Sequence, residues 1–414
     1  MFELREYQKK IVHDGVSILL HHKILYLALE CRIGKTLISM QIAKECGYKS
    51  VLFVTKKKAI ASIEHDYGLG SFKEFFDIVI INYESLHKIP KIVYDLVVVD
   101  EAHSLGSFPI PSIRAKRLRK IVKDKTVIYL SGTPTPESYS QIFHQLWISK
   151  NSPYYSYKNF YHWAANKYVA VQNKFIGDKR VKIYSKANRG KIFQDLSFFF
   201  ISLTRSEAEF DITDPNEKIE HVSLDKATIN IIHKIFDFDI IKGKYANLTC
   251  DSPLRKMQKM HQLCSGTVLL DNGKFHIMDY SKVEHIKRTI NLPAGIFYKY
   301  KAEYEVLKEY FPDHTTVPGE FDKGNNDLIV LQIIAGREGV KLKRANELIF
   351  YNIDFSATSY FQAKDRLIDK TRESPAKVRW IFSRGGIEDR IYKVVKNKTN
   401  FTTSHFKHEF YLGK

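Results

Sequence analysis

The first residues that could carry out chemistry lie near the start of the chain, in the segment Glu30–Thr36. There Gly34, Lys35 and Thr36 follow one another. In a turn that opens a helix, backbone N–H groups and a lysine ammonium can bind phosphate oxygens, and a threonine hydroxyl can bind Mg²⁺. We therefore expect Ile33, Gly34, Lys35 and Thr36 to bind the phosphates of a nucleoside triphosphate together with Mg²⁺.

An acidic pair, Asp100 and Glu101, follows the apolar run Leu96–Val99. A carboxylate at the end of a buried strand can hold Mg²⁺ while its neighbour orients the attacking water. We expect Asp100 to share the Mg²⁺ with Thr36, Glu101 to act as the base or water-orienting group, and Lys35 to meet the β- and γ-phosphates. The glycine–lysine–threonine motif and the acidic pair are each a weak signal alone, but the two in this order predict a nucleotide-hydrolysing fold.

Composition sets the class of protein. The 414 residues are 44% apolar and 27% charged, which is ordinary for a soluble globular protein of about two domains. Apolar runs are strand-sized, so neither a membrane span nor a membrane partner is expected, and the first residues lack the layout of a signal peptide. Four cysteines without metal-ligand spacing fit a reduced, cytoplasmic protein.

The net charge of +19 predicts a polyanionic partner, of which nucleic acid is the commonest. The alternative is that a lysine-rich composition reflects an AT-rich genome. Net charge alone indicates what a protein can associate with, and it does not indicate the fold.

Strand-sized apolar runs alternate with helical patterns over the first 150 residues, as a parallel α/β sheet requires. Polar or small residues follow each run, at the edge where doubly wound sheets place ligands. A second alternating block begins near Gly295. The predicted helices are Tyr7–Leu20 and Thr36–Glu45, and the predicted strands are Ile24–Leu29, Val51–Thr55, Ile78–Asn82, Leu96–Val99, Thr126–Leu130, Ile296–Tyr298, Leu328–Gln332, Leu348–Tyr351 and Val378–Phe382.

These patterns predict an α/β protein with two parallel-sheet lobes in tandem and a mainly helical, basic region between them. We expect the ATP-binding lobe at 1–150, a basic and aromatic insertion or extension of that lobe at 151–210, a helical connecting region of the second lobe at 211–294, the second lobe proper at 295–395, and a tail at 396–414.

The segment Lys150–Lys191 is the most individual part of the chain. It holds ten lysines and arginines against one acid, Asp178, with aromatic residues interleaved. Such a mixture suits phosphate binding combined with stacking on unpaired bases, which predicts contact with a fork, a junction or a displaced strand. The alternative is that the aromatics pack in the core of the first lobe and the cations only decorate its surface. The candidate nucleic-acid contacts are Lys174, Lys179, Arg180 and Lys182.

The chain resembles the superfamily 2 helicases and translocases with a DEAH box, and among them the Swi/Snf-type branch as found in phage-encoded proteins. This resemblance covers nearly the whole chain and implies two RecA-like lobes. Its motifs in the first lobe are specific as a set, whereas those in the second lobe are loose. The first-lobe motifs are Arg5–Gln8, Val54–Lys58, Asn82–Leu86, Asp100–His103 and Ser131–Pro134.

The resemblance implies roles for single residues of these motifs. Gln8, with Arg5 beside it, would recognise adenine, while Ser131 and Thr133 would couple the ATP state to lobe movement. Residues after two neighbouring strands would contact the nucleic-acid backbone, which gives position and affinity without sequence specificity. These nucleic-acid contacts are Lys56, Lys57, Tyr83 and Ser85. For Lys56 and Lys57, the alternative is that they belong to a run of solvated surface lysines.

In the second lobe, the resemblance implies that Gly339 and Arg366 complete the ATP site and that Gln362 takes part in coupling. The segments that carry this resemblance are Leu254–Gly266, Ala335–Leu342, Gln362–Arg366 and Gly386–Ile391.

Two positions depart from the family pattern. Arg32 stands in the phosphate loop where relatives carry a small residue, so it either adds charge beside the phosphates or points outward. Asp369 stands where the sixth motif has its second arginine. An arginine finger contributes about 10³–10⁵ in rate, so either Arg372 reaches the nucleotide instead or turnover is slow.

Together these features predict an ATP-dependent DNA helicase or translocase, a monomeric motor that remodels or unwinds branched or forked DNA in replication, recombination or repair. DNA is favoured over RNA by the resemblance alone, because no residue plainly reads a 2′-hydroxyl. Three alternatives stay open: a duplex translocase that never separates strands, an ATP-gated clamp with little turnover, and a motor that acts on RNA.

Overall fold

The structure is a computed structural model that describes residues 3–31, 33–136, 138–176, 179–208, 216–243, 246–333, 342, 344–356, 360 and 377–399, with the backbone alone at 174–176, 179, 236, 253, 254 and 397–399. The chain divides into two compact units, the first running to Phe210 and the second from Asp211 to Asn397.

A six-stranded parallel sheet forms the centre of the first unit, in the strand order β3-β2-β4-β5-β1-β8. A separate antiparallel hairpin, β6–β7, lies outside it. The strands are β1 Ile24–Leu29, β2 Ser50–Thr55, β3 Asp77–Asn82, β4 Leu96–Val99, β5 Thr126–Leu130, β6 Gln172–Ile176, β7 Lys179–Ile183 and β8 Phe200–Leu203.

Helices cover both faces of this sheet. Every residue of β1 and β4 is buried, which explains why these strands are continuous apolar runs, since a parallel sheet is packed on both sides. One core cluster lies beneath α1, α2 and α3, and the other lies beneath α4, α5, α6 and α7. The helices are α1 Glu6–His22, α2 Lys35–Glu45, α3 Ile60–Leu69, α4 Ile113–Val122, α5 Ile142–Leu146, α6 Phe160–Trp163 and α7 Arg189–Leu196.

The second unit has a five-stranded parallel sheet in the order β15-β14-β16-β17-β9, with two small antiparallel hairpins, β10–β11 and β12–β13. Its strands are β9 Asn216–Val222, β10 Ile240–Ile241, β11 Leu248–Thr249, β12 Thr267–Leu269, β13 Phe275–Ile277, β14 Ala294–Tyr298, β15 Leu328–Gln332, β16 Glu347–Phe350 and β17 Lys377–Ser383. Its helices are α8 Lys226–Asp237, α9 Pro253–Leu263, α10 Ser281–Thr289, α11 Lys301–Tyr310, α12 Pro318–Lys323 and α13 Glu388–Thr399.

The predicted α/β class with two parallel-sheet lobes is confirmed, and each of the nine predicted strands lies where the sequence placed it to within two residues. Eight strands were missed. Six of them form the three antiparallel hairpins β6–β7, β10–β11 and β12–β13, and the other two belong to the parallel sheets. β8 adds to the first sheet beside β1, and β9 adds to the second sheet beside β17. The expectation that 211–294 is a helical connecting region is therefore wrong for β9, which is an edge strand whose half-exposed polar residues hide its period.

No helix among the described residues is long and apolar enough to cross a membrane.

Candidate nucleotide and nucleic-acid site

The phosphate loop lies between β1 and α2. Gly34 is the residue before the first turn of α2 and has a φ of 93°, a left-handed conformation that glycine adopts without strain. A Cβ atom at this position would lie 2.5 Å from Gln8 Nε2. The loop therefore needs glycine both for its backbone angle and for the close approach of α1.

Lys35 and Thr36 open α2, where the N–H groups of the first turn have no partner inside the helix. The Lys35 ammonium donates to the carbonyls of Leu29 at 3.0 Å and Glu30 at 3.2 Å. A triphosphate would compete with these two carbonyls for the ammonium. Arg32, the departure from the family pattern, lies outside the described residues.

Helix α1 holds the phosphate loop from the outside. Gln8 Nε2 donates to the Ile33 carbonyl at 2.9 Å, and the Tyr7 hydroxyl donates to the same oxygen at 3.2 Å. Gln8 Oε1 accepts from the Arg5 backbone N–H at 3.0 Å. The Ile33 side chain is fully buried, so only its backbone can face a nucleotide. The adenine contact of Gln8 and Arg5 stays a prediction, since here the Gln8 amide positions the loop.

The acidic pair lies at the end of β4, which neighbours β2 and β5 in the sheet. Asp100 Oδ2 accepts from the Thr55 hydroxyl at 2.7 Å, and the backbone N–H of Glu101 also donates to this carboxylate. Burial, together with the charge of Glu101, raises the pKa of Asp100 to about 6, while Thr55 and the Lys35 ammonium act in the opposite direction. The Lys35 charge and the Asp100 carboxylate thus share one site, and hard oxygen donors such as Asp100 and Thr36 suit Mg²⁺.

Tyr83 corrects one of the predicted nucleic-acid contacts. Its side chain is 1% exposed and its hydroxyl donates to the Asp100 carbonyl. The prediction that this side chain reaches nucleic acid is therefore wrong. The tyrosine follows β3 as expected, but it turns inward and supports the strand end that carries Asp100.

His103 joins two loops of the site. Its Nδ1 lies 3.2 Å from Glu101 Oε2 and 3.1 Å from Ser131 Oγ. Ser131 Oγ also accepts from the Thr133 N–H at 3.2 Å. The residues predicted to couple ATP state to movement are thus connected to the predicted catalytic carboxylate through one imidazole.

Sequence reasoning missed a second support for the phosphate loop. Glu30 Oε2 accepts from the Arg205 N–H at 2.8 Å and lies 3.4 Å from Arg205 Nε. Arg205 follows β8, whose pairing with β1 brings the two residues together. The apolar run Phe200–Leu203 was the available signal, but the four-residue strand is too short to show a period.

The remaining contacts predicted after β2 and β3 lie at the same edge of the sheet, because these strands are parallel neighbours. Lys57 is exposed, whereas Lys56 and Ser85 are half-buried. The Ser85 N–H donates to Asn82 Oδ1 at 2.9 Å, which holds the turn after β3 in place. Their binding of nucleic acid stays a prediction.

The aromatic and the basic residues of the segment Lys150–Lys191 have different roles. Its large aromatics are in the core: Tyr154, Phe160 and Trp163 are fully buried. The interpretation of these three rings as stacking platforms is therefore wrong, and the alternative of core packing is correct for them. Tyr161 is 47% exposed, so it remains available for stacking.

The four cations predicted to contact nucleic acid lie on the β6–β7 hairpin. Arg180 and Lys182 are exposed on β7, and the side chains of Lys174 and Lys179 lie outside the described part. A cavity of about 410 Å³ at the base of the hairpin is lined by Lys167 and Lys186 over an apolar floor that includes Val169 and Ala187. The described part of the hairpin therefore presents two exposed cations, Arg180 and Lys182.

The residues of the second unit that were singled out in the sequence are not described. Gly339, Gln362, Arg366, Arg372 and Asp369 all lie outside the described residues. The segment Gly386–Ile391 is described, and there Glu388 is buried and pairs with Lys282 at 2.7 Å.

Comparison with known proteins agrees with this geometry. Residues 49–268 match the SNF2-related domain, which is more than half of the chain. The DNA repair and recombination protein RAD54B of Mus musculus is similar, with 22% identity over an alignment of 405 positions that covers 81% of this chain and 45% of that protein. The chain thus spans a little under half the length of that relative.

Among solved structures, the Sulfolobus solfataricus SWI2/SNF2 ATPase core in complex with dsDNA is similar at 16% identity, with 97% of this chain and 92% of that chain covered and a TM-score of 0.42. On the match over residues 49–268, this chain belongs to the family of proteins with an SNF2-related domain.

Proposed function

We propose that this protein is a DNA-dependent ATPase that moves along DNA and remodels or unwinds branched or forked duplexes in repair, recombination or replication. Family membership supports a nucleotide-driven motor, and the name of the mouse relative supports repair and recombination. We propose a monomeric motor acting in the cytoplasm, that of the host cell if the protein is viral.

One observation carries this proposal: β1, which leads to Lys35, and β4, which leads to Asp100, both pair in parallel with β5, so the two residues follow strand ends at one edge of the sheet although 65 residues separate them in the chain. A cation for phosphates and a carboxylate for Mg²⁺ are the two charges that phosphoryl transfer from ATP requires at one place. Glu101 follows directly, and its carboxylate is oriented by His103 at 3.2 Å.

Each residue then has a role in hydrolysis. Lys35 and the N–H groups of the first turn of α2 bind phosphate oxygens, and Thr36 and Asp100 supply oxygen ligands for Mg²⁺, which neutralises phosphate charge when it is bound. Glu101 orients or deprotonates the attacking water. Arg366 supplies positive charge from the second unit. Arg372 replaces the second arginine of the sixth motif, whose position Asp369 occupies.

Nucleic acid would follow the same sheet edge. Lys56, Lys57 and Ser85 contact backbone phosphates, and the hairpin cations engage an unpaired strand or a fork. These contacts are sequence-independent, so binding should fall steeply with salt.

The decisive experiment measures ATP turnover with single-stranded, duplex, forked and four-way DNA and with RNA. Glu101→Gln should bind ATP but lose about 10²–10⁴ in turnover, as expected for a lost general base, whereas Glu74→Gln on the surface should behave as wild type. Wild-type protein that hydrolyses ATP equally with and without any nucleic acid would contradict the proposal.

A duplex translocase without strand separation is the second candidate, and a strand-displacement assay on forked DNA distinguishes it from a helicase. An ATP-gated clamp, suggested by Asp369, would bind ATP tightly without DNA-stimulated phosphate release. Stimulation by RNA above DNA would instead indicate a motor that acts on RNA.

A further inference from the structure

The outward face of α4 carries a concentration of positive charge that the proposed motor does not use. Residues 114–125 contain seven lysines and arginines and one acid, Asp124. The helix packs on the core through Ala115, Leu118 and Val122. At 100° per residue, the face opposite these three is formed by Lys116, Arg117 and Lys120.

Two arginines of this helix have structural roles and are not part of that face. The Arg114 guanidinium pairs with Glu84 and lies over the Tyr83 ring. Arg119 stacks on Trp147 at 3.5 Å and donates to its carbonyl.

The three face residues are different. Lys116, Arg117 and Lys120 are exposed, and the structure gives their side chains no ion pair or hydrogen bond with any described residue. Lys123 extends the row by one more turn. The acid beside it, Asp124, is paired with Lys150 and also interacts with the charge of Lys123, so an acidic neighbour partly balances Lys123 but not the three face residues.

This arrangement costs the helix stability. Lys116 and Lys120 are four residues apart, and Arg117 and Lys120 are three apart, so each pair lies on adjacent turns. Like charges at these spacings destabilise a helix. Three neighbouring cations without an acidic partner among the described residues therefore favour an external polyanion.

The geometry of the row suits a phosphate backbone. From Lys116 to Lys123 the helix rises about 10 Å at 1.5 Å per residue. One strand of a duplex presents about three phosphates over that length, at about 3.4 Å each. Lysine and arginine on a regular surface bind such a backbone without reading its sequence.

The far end of the row also lies away from the proposed track. Helix α4 connects the parallel strands β4 and β5, so it runs antiparallel to them, and its end lies at the edge where β5 begins. Lys56 and Ser85 follow the opposite ends of their strands. Lys120 and Lys123 thus lie toward the edge of the sheet away from the predicted contacts.

We propose that the face of α4 formed by Lys116, Arg117 and Lys120, continued by Lys123, binds the phosphate backbone of a second DNA segment, distinct from the one that the motor tracks. The proposal rests on the proposed function only in taking DNA as the polyanion. A protein with two such contacts would hold two duplexes, or two arms of one branched molecule, at once.

The test is a titration of a short fluorescent duplex, in excess, against the full chain, with stoichiometry read by sedimentation. Wild-type protein should bind two duplexes per chain at low salt, and Lys116→Gln/Arg117→Gln/Lys120→Gln should bind one. The salt dependence of total binding should weaken in this variant, with a log–log slope lower by about 3, since each lost phosphate contact contributes about 0.9.

A matched control, Lys10→Gln/Lys73→Gln/Lys91→Gln, removes three exposed charges elsewhere on the first unit and should keep two duplexes per chain. ATP turnover at saturating duplex should stay within about twofold in both variants. The proposal is overturned by one duplex per chain in the wild type, by two in the α4 variant, or by loss of turnover in that variant, which would place α4 on the track. Absence of DNA-stimulated turnover in the wild type would instead refute the proposed function, whatever the stoichiometry.

Discussion

The imidazole Nδ1 of His103 lies 3.1 Å from the hydroxyl oxygen of Ser131. The same nitrogen lies 3.2 Å from Glu101 Oε2, so one imidazole connects the acidic pair after β4 with the loop after β5. Ser131 is fully buried, which leaves its hydroxyl few other ways to satisfy its hydrogen bonds.

We expect Ser131→Ala to lower DNA-stimulated turnover about tenfold while ATP affinity stays unchanged, because the imidazole loses a partner that orients Glu101. Ser131→Thr keeps a hydroxyl and should recover most of the turnover. Steady-state turnover and nucleotide titration measure the two effects. Ser197→Ala, at an exposed serine, is the control, and equal turnover in Ser131→Ala and wild type would separate this contact from coupling.

Gly34→Ala should weaken ATP binding more than it lowers the free energy of unfolding. The added Cβ lies 2.5 Å from Gln8 Nε2, so it displaces the amide that holds Ile33 and distorts the phosphate loop. Gly47 also has a positive φ, of 74°, but has nothing within 4 Å of an added Cβ.

Gly47→Ala is therefore the matched control, and it should cost only the backbone strain of about 1–2 kcal/mol in the free energy of unfolding. Denaturant unfolding and nucleotide titration on both variants provide the comparison. Similar ATP affinities in the two variants would show that the close approach of Gln8 does not shape the site.

Arg366→Ala should lose about 10³-fold or more in turnover while nucleotide binding is kept, as for an arginine finger. Arg372→Ala should show the same pattern if that residue replaces the arginine missing at Asp369. Single-turnover hydrolysis with a parallel nucleotide titration measures both. Unchanged turnover in Arg366→Ala would remove this residue from the site.

Neutralising the hairpin should reduce binding to forked DNA more than basal ATP turnover. Arg180→Gln/Lys182→Gln removes two exposed charges from β7, and adding Lys174→Gln and Lys179→Gln should enlarge the loss. Each lost phosphate contact lowers the log–log salt slope by about 0.9. Affinities for forked and plain duplexes that fall equally would indicate general charge loss and no preference for a fork.

The stability of the first unit should depend on pH through His144. Burial lowers the pKa of this imidazole to about 4, and its Nδ1 lies 2.5 Å from the Ser107 carbonyl. The unfolded chain, with a pKa near 6.5, binds more protons between these two values, so the free energy of unfolding falls as the pH drops from 6.5 toward 4.

The effect at pH 4.5 should be about 2–3 kcal/mol relative to pH 7, from about 1.4 kcal/mol per unit of pKa shift. His144→Gln removes the titrating group, so its difference from wild type should shrink by that amount over this interval. His65→Gln, at an exposed histidine, should follow wild type throughout. Parallel pH profiles for wild type and His144→Gln would contradict the assignment.

Local features explain why so many of the elements were predicted. Ile24–Leu29 and Leu96–Val99 read as strands because a parallel sheet buries both faces and its strands become continuous apolar runs. The same property fails at an edge: β9, with Glu217, Lys218 and Glu220, is polar enough to hide its strand character, and only pairing with β17 reveals it.

The sequence by itself determined which chemical groups are present and near which strand ends they lie: Lys35, Thr36, Asp100 and Glu101 each follow from local pattern, because motif and strand lie together in the chain. Only the tertiary structure decided which way side chains turn. Tyr83 and Trp163 point into the core, while Glu30 meets Arg205 across 175 residues. Such contacts depend on the order of strands in the sheet, which no local period encodes.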